Sequence, residues 1–213
     1  MQWLNKNYPP NTRYHSAIVT GENVLTVEAV RIVWDIVKRV GSVQMEIDGH
    51  NVTWQDECKR VAIGITYEDV SWIAWGMNKL FGGCTTFIDA CMEMSILNIL
   101  SPNSTMTDEF INNLTQSEIL RRVNDHSERE SVLQYLGDVV YDLDGDIIGA
   151  QATKIDLISE TNMTEALLYP DSRARTPVTD RSMHFEEHLQ EALLNNRNVP
   201  DGFSVSVLGK LSK

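Results

Sequence analysis

The sequence predicts an α+β domain, because its 213 residues contain both strand-like alternation and helix-like periodicity. The first observation is the run over residues 14–20, which predicts a strand closed by Gly21. The second is a helical pattern for which Thr26 is a suitable N-cap and Gly41 the expected left-handed terminator. The apolar residues of this helix recur at helical spacing, namely Val27, Val30, Val33, Trp34, Val37 and Val40.

The third observation is a predicted hairpin late in the chain. Apolar runs over residues 139–143 and 147–157 flank the dipeptide formed by Asp144 and Gly145. Asp-Gly between such runs indicates a two-residue hairpin turn, because both turn positions need a positive φ. These two runs are therefore expected to be adjacent antiparallel strands.

A helix and a strand complete the predicted elements. Residues 179–195 show helical spacing, and the pattern is broken by Pro200 and Gly202. Residues 203–208 alternate strictly and predict a last strand. The apolar stripe of the predicted helix consists of Phe185, Leu189, Ala192 and Leu193.

Residues 42–135 are predicted to form a mainly helical insertion between the first helix and the hairpin. Without it, the elements run strand, helix, strand, strand, helix, strand, which is the ferredoxin-like split βαβ plan (βαββαβ). The helical signals in the insertion are the face made by Ile73, Met77 and Leu80, the run over residues 91–100 before Pro102, and the candidate N-caps Thr107 and Ser117.

The sequence thus predicts one domain over residues 1–213, with its core at residues 12–41 and 136–210 and the insertion at residues 42–135. Right-handed connections would place the first and last strands side by side and antiparallel. The chain would then enter and leave the domain at one edge. This geometry suits a domain inserted between two neighbouring membrane helices.

Composition and motifs disfavour several classes of function. The formal net charge is −12 with no run of Lys and Arg, so neither nucleic acid nor an anionic membrane surface is an expected partner. No stretch approaches the length of an apolar membrane span, and the N-terminus does not match a signal peptide. No G-x-S-x-G, P-loop or dinucleotide-binding glycine pattern occurs, and no cofactor is predicted.

Two residue types point to an oxidising compartment. N-x-[ST] sequons occur in mild excess over chance and are expected to lie outside the strongest strand and helix patterns. Their asparagines are Asn51, Asn103, Asn113 and Asn162. The cysteines are Cys58, Cys84 and Cys91. An odd count fits one disulfide plus a thiol, a partner outside the chain, or three reduced buried cysteines.

The sharpest catalytic alternative is a zinc site. His184, Glu187 and His188 match H-x-x-E-H, the inverted zinc-peptidase pattern, in which both histidines bind zinc and the glutamate is the base. Glu191 is the nearest candidate third ligand. This alternative is a soluble zinc-dependent hydrolase. The competing interpretation is a polar flank beside the apolar stripe, which we favour because little sequence remains to complete a site.

Asp142, Asp144 and Asp146 are similar to the start of a calcium loop. An EF-hand needs Gly at its sixth position and Glu at its twelfth. Here Gly145 is at the fourth and Thr153 at the twelfth, so a hairpin turn is the preferred interpretation.

The order of several short motifs resembles the first large luminal loop of Patched-domain proteins, a family that includes the Niemann–Pick type C sterol transporter, Patched and Dispatched. The resemblance extends from about residue 8 to residue 210. The matching segments are Tyr-Pro-Pro at residues 8–10, Val-Leu-Thr-Val-Glu-Ala at 24–29, Asn-Val-Thr-Trp-Gln-Asp-Glu-Cys at 51–58, Cys-Met-Glu-Met-Ser-Ile-Leu-Asn at 91–98, Phe-Glu-Glu-His-Leu at 185–189 and Phe-Ser-Val-Ser-Val-Leu-Gly at 203–209.

This resemblance implies a disulfide between Cys58 and Cys91, with Cys84 free or bonded elsewhere. It also implies a non-catalytic extracellular or luminal domain of a multi-pass membrane protein, with a role in sterol or lipid transport or in reception of a lipidated signal. The implied partners are the second extracytoplasmic domain and the membrane helices of the parent protein, and a sterol, lipid or lipid-carrying protein. A plain secreted interaction domain is a third possibility.

Overall fold

A computed structural model describes residues 12–58, 60–66, 84–91, 93–101, 106–125, 132–161, 179–194 and 199–209. The strands are β1 (Thr12–Gly21), β2 (Gln44–Ile47), β3 (His50–Thr53), β4 (Arg60–Thr66), β5 (Cys84–Cys91), β6 (Glu93–Met94), β7 (Leu136–Tyr141), β8 (Ile147–Glu160) and β9 (Phe203–Gly209). The helices are α1 (Val27–Gly41), α2 (Trp54–Glu57), α3 (Ile96–Leu100), α4 (Asp108–Asn113), α5 (Gln116–Val123) and α6 (Asp180–Leu194). The architecture is therefore α+β, as predicted.

The main sheet has five strands and every pairing in it is antiparallel. β1 and β8 are paired at its centre, with Thr12 opposite Glu160 at one end. β9 pairs with the other edge of β1, and β6 and β7 pair with the other edge of β8. Strand β8 is long enough for β7 to occupy its first half and β6 its second.

The first and last strands of this sheet are neighbours, which confirms the prediction from the sequence. His15 lies opposite Gly209, and Gly21 lies opposite Phe203. The start of β1 and the end of β9 therefore lie at the same end of the sheet.

Helix α1 begins where the sequence predicted, because the Thr26 side chain accepts a hydrogen bond from the Ala29 N–H. Its end differs from the prediction. Gly41 is still helical, and the C-cap is Ser42 in the right-handed region, with its N–H bonded to the Lys38 and Arg39 carbonyls. Hydrogen bonds from Ser42, Val43 and the Gln55 side chain satisfy the last carbonyls, so no left-handed glycine is needed.

One hydrophobic core joins the sheet, the helices and the insertion. One face of the β1–β8 pair is buried in this core and includes Ala17, Val19, Ile155 and Leu157. The α6 residues Phe185, Leu189 and Leu193 are buried as predicted, while Ala192 is half-buried. From the insertion, Trp54 stacks on Phe185 with ring centroids 6.3 Å apart. Buried side chains from the main sheet, from the long helices and from the described part of the insertion thus share one interior.

The described part of the insertion is not mainly helical, contrary to the prediction. It contains two antiparallel hairpins, β2–β3 and β4–β5, beside four short helices. β2 and β3 escaped prediction because four residues are too few for a clear period-two signal, whereas β4 and β5, with seven and eight residues, lack strict alternation of apolar and polar residues. The predicted helix face at Ile73, Met77 and Leu80 lies outside the described residues.

Two further details of the insertion correct the predictions. Among the described residues of the run 91–100, only Ile96–Leu100 is helical, because Ser95 caps that helix and Cys91, Glu93 and Met94 belong to β5 and β6. Thr107 caps α4 as predicted, but Thr115 rather than Ser117 caps α5, accepting from the Glu118 N–H. The residue at the N-cap must be extended, and Thr115 meets that condition.

The Asp-Gly turn of the β7–β8 hairpin is wider than predicted. Tyr141 lies opposite Ile147, so five residues connect the strands, and only Gly145 in this loop has a positive φ. The two-residue turn occurs instead between β2 and β3, where Asp48 and Gly49 have φ values of 51° and 78°.

Candidate functional site

A disulfide joins two segments of the insertion that meet at one edge of the main sheet. Cys58 and Cys91 are bonded, with their Cα atoms 5.4 Å apart, as the family resemblance implied. Cys58 bridges to Ser159 of β8, and β6 begins two residues after Cys91 on the same edge of β8. Arg60 lies opposite Cys91, so the disulfide also closes the base of the β4–β5 hairpin. Cys84 belongs to β5, but its side chain lies outside the described part of the structure.

A buried ionic cluster lies beside this disulfide, between the sheet and α6. The Arg13 guanidinium donates to Glu186 Oε2 at 2.6 Å and also contacts Oε1, and both side chains are largely buried. Nearby, Arg181 Nε donates to Glu57 Oε1 at 2.7 Å. The two pairs join β1 to α6 and α6 to the insertion. They lie at the end of the sheet where β1 starts.

His15 is the uncharged member of this cluster. Its Nε2 is 3.0 Å from Ser159 Oγ and 3.9 Å from Glu186 Oε1, and its side chain is 2% exposed. Burial, and then the charge of Arg13, lowers the pKa of His15 to about 4. Burial also raises the pKa of Glu186, while Arg13 opposes that effect. At neutral pH His15 is therefore neutral, next to the Arg13–Glu186 pair.

The arrangement of His15, Ser159 and Glu186 differs from a catalytic triad. In a triad the imidazole uses Nε2 for the nucleophile and Nδ1–H for the carboxylate. Here both partners lie on the Nε2 side, and Nδ1 is buried without a hydrogen-bond partner. These contacts hold strands and helix together rather than orienting a base.

Another polar residue, Glu93, lies on β6, which pairs with the edge of β8 that faces away from β1. It lies opposite Leu157, whose other neighbour in the same row is His15. Directly opposed residues of antiparallel strands share a face, so all three side chains point toward the same side. Burial raises the pKa of Glu93 to about 7. The sequence analysis did not identify His15, Glu93 or Glu186 as members of a polar cluster. The only signal that could have indicated them was a polar residue at a strand or helix position expected to be buried.

The candidate zinc residues lie on the exposed face of α6. His184 and His188 are 61% and 53% exposed, and each ring is nearest to the glutamate three residues later. Nδ1 of His184 is 3.8 Å from Glu187, and Nδ1 of His188 is 3.7 Å from Glu191. Within the described ranges, no group of three or more His, Cys, Asp or Glu residues is arranged to hold a metal.

The candidate calcium residues form a turn around Asp142. Its Oδ1 accepts hydrogen bonds from the N–H groups of Asp144 and Asp146, at 3.0 and 2.8 Å. The carboxylate therefore organises its own loop backbone, which is the role expected of aspartate in a turn.

Two of the four sequons lie in described regions, and both are in regular structure rather than outside it. Asn51 is an exposed residue of β3, and Asn113 is the exposed last residue of α4. The threonines of both sequons are N-caps, Thr53 for α2 and Thr115 for α5. Asn103 and Asn162 lie outside the described residues.

A shallow groove lies between α4 and α5. It has a volume of about 350 Å³ and is lined by Phe110, Leu114 and the sequon residue Asn113, among others. Arg122 closes one wall, with its guanidinium 5.6 Å from the Phe110 ring centroid and paired to Glu118. The groove holds no cluster of reactive groups.

Comparison with known proteins adds no relative. No protein-family model matches the chain, and no curated protein matches it. Among the helices in the described ranges, none has the length and apolar character required to span a bilayer. The resemblance to Patched-domain loops therefore depends on the order of motifs in the sequence.

Proposed function

We propose that this chain is a non-catalytic extracytoplasmic domain of a Patched-like multi-pass membrane protein, built on a ferredoxin-like split βαβ core. The spatial order β7–β8–β1–β9 supports this core, because a βαββαβ chain with right-handed connections has its strands in that order. The two helices of such a core correspond to α1 and α6.

The observation that carries the proposal is the pairing of β1 with β9. Because His15 lies opposite Gly209, the chain enters β1 and leaves β9 at one end of the sheet. A domain with this arrangement can be inserted between two neighbouring membrane helices without any long connection. The disulfide and the buried ionic cluster stabilise that same end of the sheet. In the proposed parent protein, this is the end that the two membrane helices would adjoin.

Two chemical features support the extracytoplasmic location. The Cys58–Cys91 disulfide is of a kind that persists in secreted proteins and in the lumen of the secretory pathway. The sequon asparagines Asn51 and Asn113 are exposed, as glycan acceptors must be. By the resemblance, the role is sterol or lipid transport, or reception of a lipidated signal, together with a second extracytoplasmic domain.

The first test is the coding sequence on either side of residues 1–213. We expect an apolar segment of roughly 20 residues on each side, the length that spans a bilayer. Charged or polar sequence on both sides would contradict the proposal, irrespective of the fold.

The second test is membrane topology of the full-length protein. Expressed in cells and recovered in sealed microsomes, residues 1–213 should be protected from added protease. Removal of N-glycans should increase the mobility of the wild type, and Asn51→Gln with Asn113→Gln should reduce that change. Cleavage of this domain in intact microsomes would place it in the cytosol and exclude the proposed function.

The implied lipid role requires a separate measurement. A photoactivatable sterol added to cells that express the full-length protein should label it, and excess unlabelled sterol should compete. Labelling equal to that of an unrelated multi-pass protein would remove sterol from the proposal while leaving the topology intact.

A further inference from the structure

The end of the β7–β8 hairpin exposes an unusual concentration of large apolar side chains. Seven such residues are exposed in the described ranges, and four of them lie between positions 140 and 148. Leu143 is fully exposed at the loop, and Val140, Tyr141 and Ile148 are each about half exposed. Scattered single apolar residues are normal on a surface, but several exposed together at one hairpin end indicate a contact with another molecule.

This hairpin end is held in one conformation rather than left free. Oδ1 of Asp142 accepts from two N–H groups of the loop, and Asp142 N–H donates to the Asp146 carbonyl at 2.9 Å. The Asn124 side chain both donates to the Ile147 carbonyl and accepts from its N–H, at 2.8 and 2.7 Å. Oδ1 of Asn23 accepts from the Ala150 N–H. A preorganised loop loses little conformational entropy when it binds.

The charges around these apolar residues select the kind of partner. Asp138, Asp142, Asp144 and Asp146 are all exposed, and no Lys or Arg occurs from residue 130 to residue 153. The whole chain carries a formal charge of −12. Like charges repel, so a second copy of this chain and an anionic bilayer are both poor matches for this surface.

We infer that the β7–β8 hairpin end is a docking surface for another protein, whose site is an apolar pocket for Leu143 surrounded by Lys and Arg. Leu143 is the anchor, because it is the most exposed of the four residues and its burial would remove the largest fraction of apolar side-chain surface from water. The aspartates supply attraction to the basic rim and orient the encounter. This inference is independent of whether the chain belongs to a membrane protein.

The test places a photo-crosslinking benzoylphenylalanine at position 143 of the full-length protein in the cells that produce it. Leu194 is the matched control, because it is an exposed leucine on α6. We expect one crosslinked protein at position 143 that is absent at 194, and its crosslinked peptide should be rich in Lys and Arg. Asp144→Asn with Asp146→Asn, or raised salt, should lower the yield about fivefold.

Each alternative result overturns the inference. These results are an adduct no stronger than at position 194, an adduct with lipid or with a second copy of this chain, and a peptide lacking basic residues. A yield unchanged by removal of the two charges would also overturn it. The formation of the Cys58–Cys91 disulfide in every variant verifies folding, so that a lost adduct reports a lost contact.

Discussion

His15 and Glu93 occupy the same row of the main sheet, on opposite sides of Leu157. Burial shifts their proton equilibria in opposite directions, lowering the pKa of His15 to about 4 and raising that of Glu93 to about 7. Each residue is therefore held closer to its neutral form in the folded protein. The two groups make opposite contributions to the pH dependence of stability.

His15 should make the protein less stable in acid. Its folded pKa is below the unfolded value of 6.5, so the unfolded chain binds the proton first as pH falls. The stabilising contribution is complete above pH 6.5 and is lost as pH approaches 4. Between pH 7 and 4, the wild type should lose about 3 kcal/mol more than His15→Gln in urea unfolding. If the free energy of unfolding of the two proteins changed equally with pH, His15 would not be held neutral in the folded protein.

Glu93 should have the opposite effect. Its folded pKa lies above the unfolded value of 4.5, so its contribution is present below pH 4.5 and is lost as pH rises through about 7. At pH 8, Glu93→Gln should be more stable than the wild type by about 2 kcal/mol, and at pH 4 the two should be equal. An exposed control, Glu22→Gln, should change stability by less than about 0.5 kcal/mol at either pH. If the difference in stability between Glu93→Gln and the wild type did not change with pH, the Glu93 carboxyl would not be buried as described.

The Arg13–Glu186 pair offers a test with an adjacent control. Glu186→Ala leaves a largely buried guanidinium without its carboxylate and should cost about 3 kcal/mol of unfolding free energy. Glu187→Ala, at a side chain 64% exposed on the same helix, should change it by less than about 0.5 kcal/mol. Equal losses from both substitutions would mean that the pair contributes nothing beyond helix propensity.

Removal of the disulfide should destabilise the domain. Cys58 and Cys91 are 33 residues apart, and opening a loop of this size costs about 4 kcal/mol through the greater freedom of the unfolded chain. Cys58→Ser with Cys91→Ser should show this loss in urea unfolding under oxidising conditions. Cys84→Ser is the control, and a non-reducing peptide map of it should still contain the Cys58–Cys91 link. A map of the wild type in which Cys84 is joined to either residue would refute the pairing.

Metal analysis separates the proposed domain from a zinc hydrolase. His184 and His188 are exposed and close only to Glu187 and Glu191, so purified protein should contain less than about 0.1 zinc per chain after dialysis. His184→Ala and His188→Ala should leave the metal content unchanged. One tightly held zinc that either substitution removes would instead establish the hydrolase alternative.

Elements with strong local sequence signals were predicted well. Elements whose boundaries depend on how strands pair with each other were not. The N-cap Thr26, the stripe of α6 and the alternation in β9 each identify an element from neighbouring residues alone. Asp-Gly dipeptides show the limit of such signals. Asp48 and Gly49 form a two-residue turn, but Asp144 and Gly145 lie in a five-residue loop, because Tyr141 pairs with Ile147.

The sequence by itself determined the α+β class, the positions of the first and last strands, and the long helices, because hydrophobic periodicity and capping act over a few residues. Only the tertiary structure decided which polar residues are buried together. Arg13 and Glu186 are 173 positions apart, and their contact exists because β1 and α6 pack on each other. No local pattern encodes the loss of solvent around Glu93 and His15, since burial depends on the register of three strands.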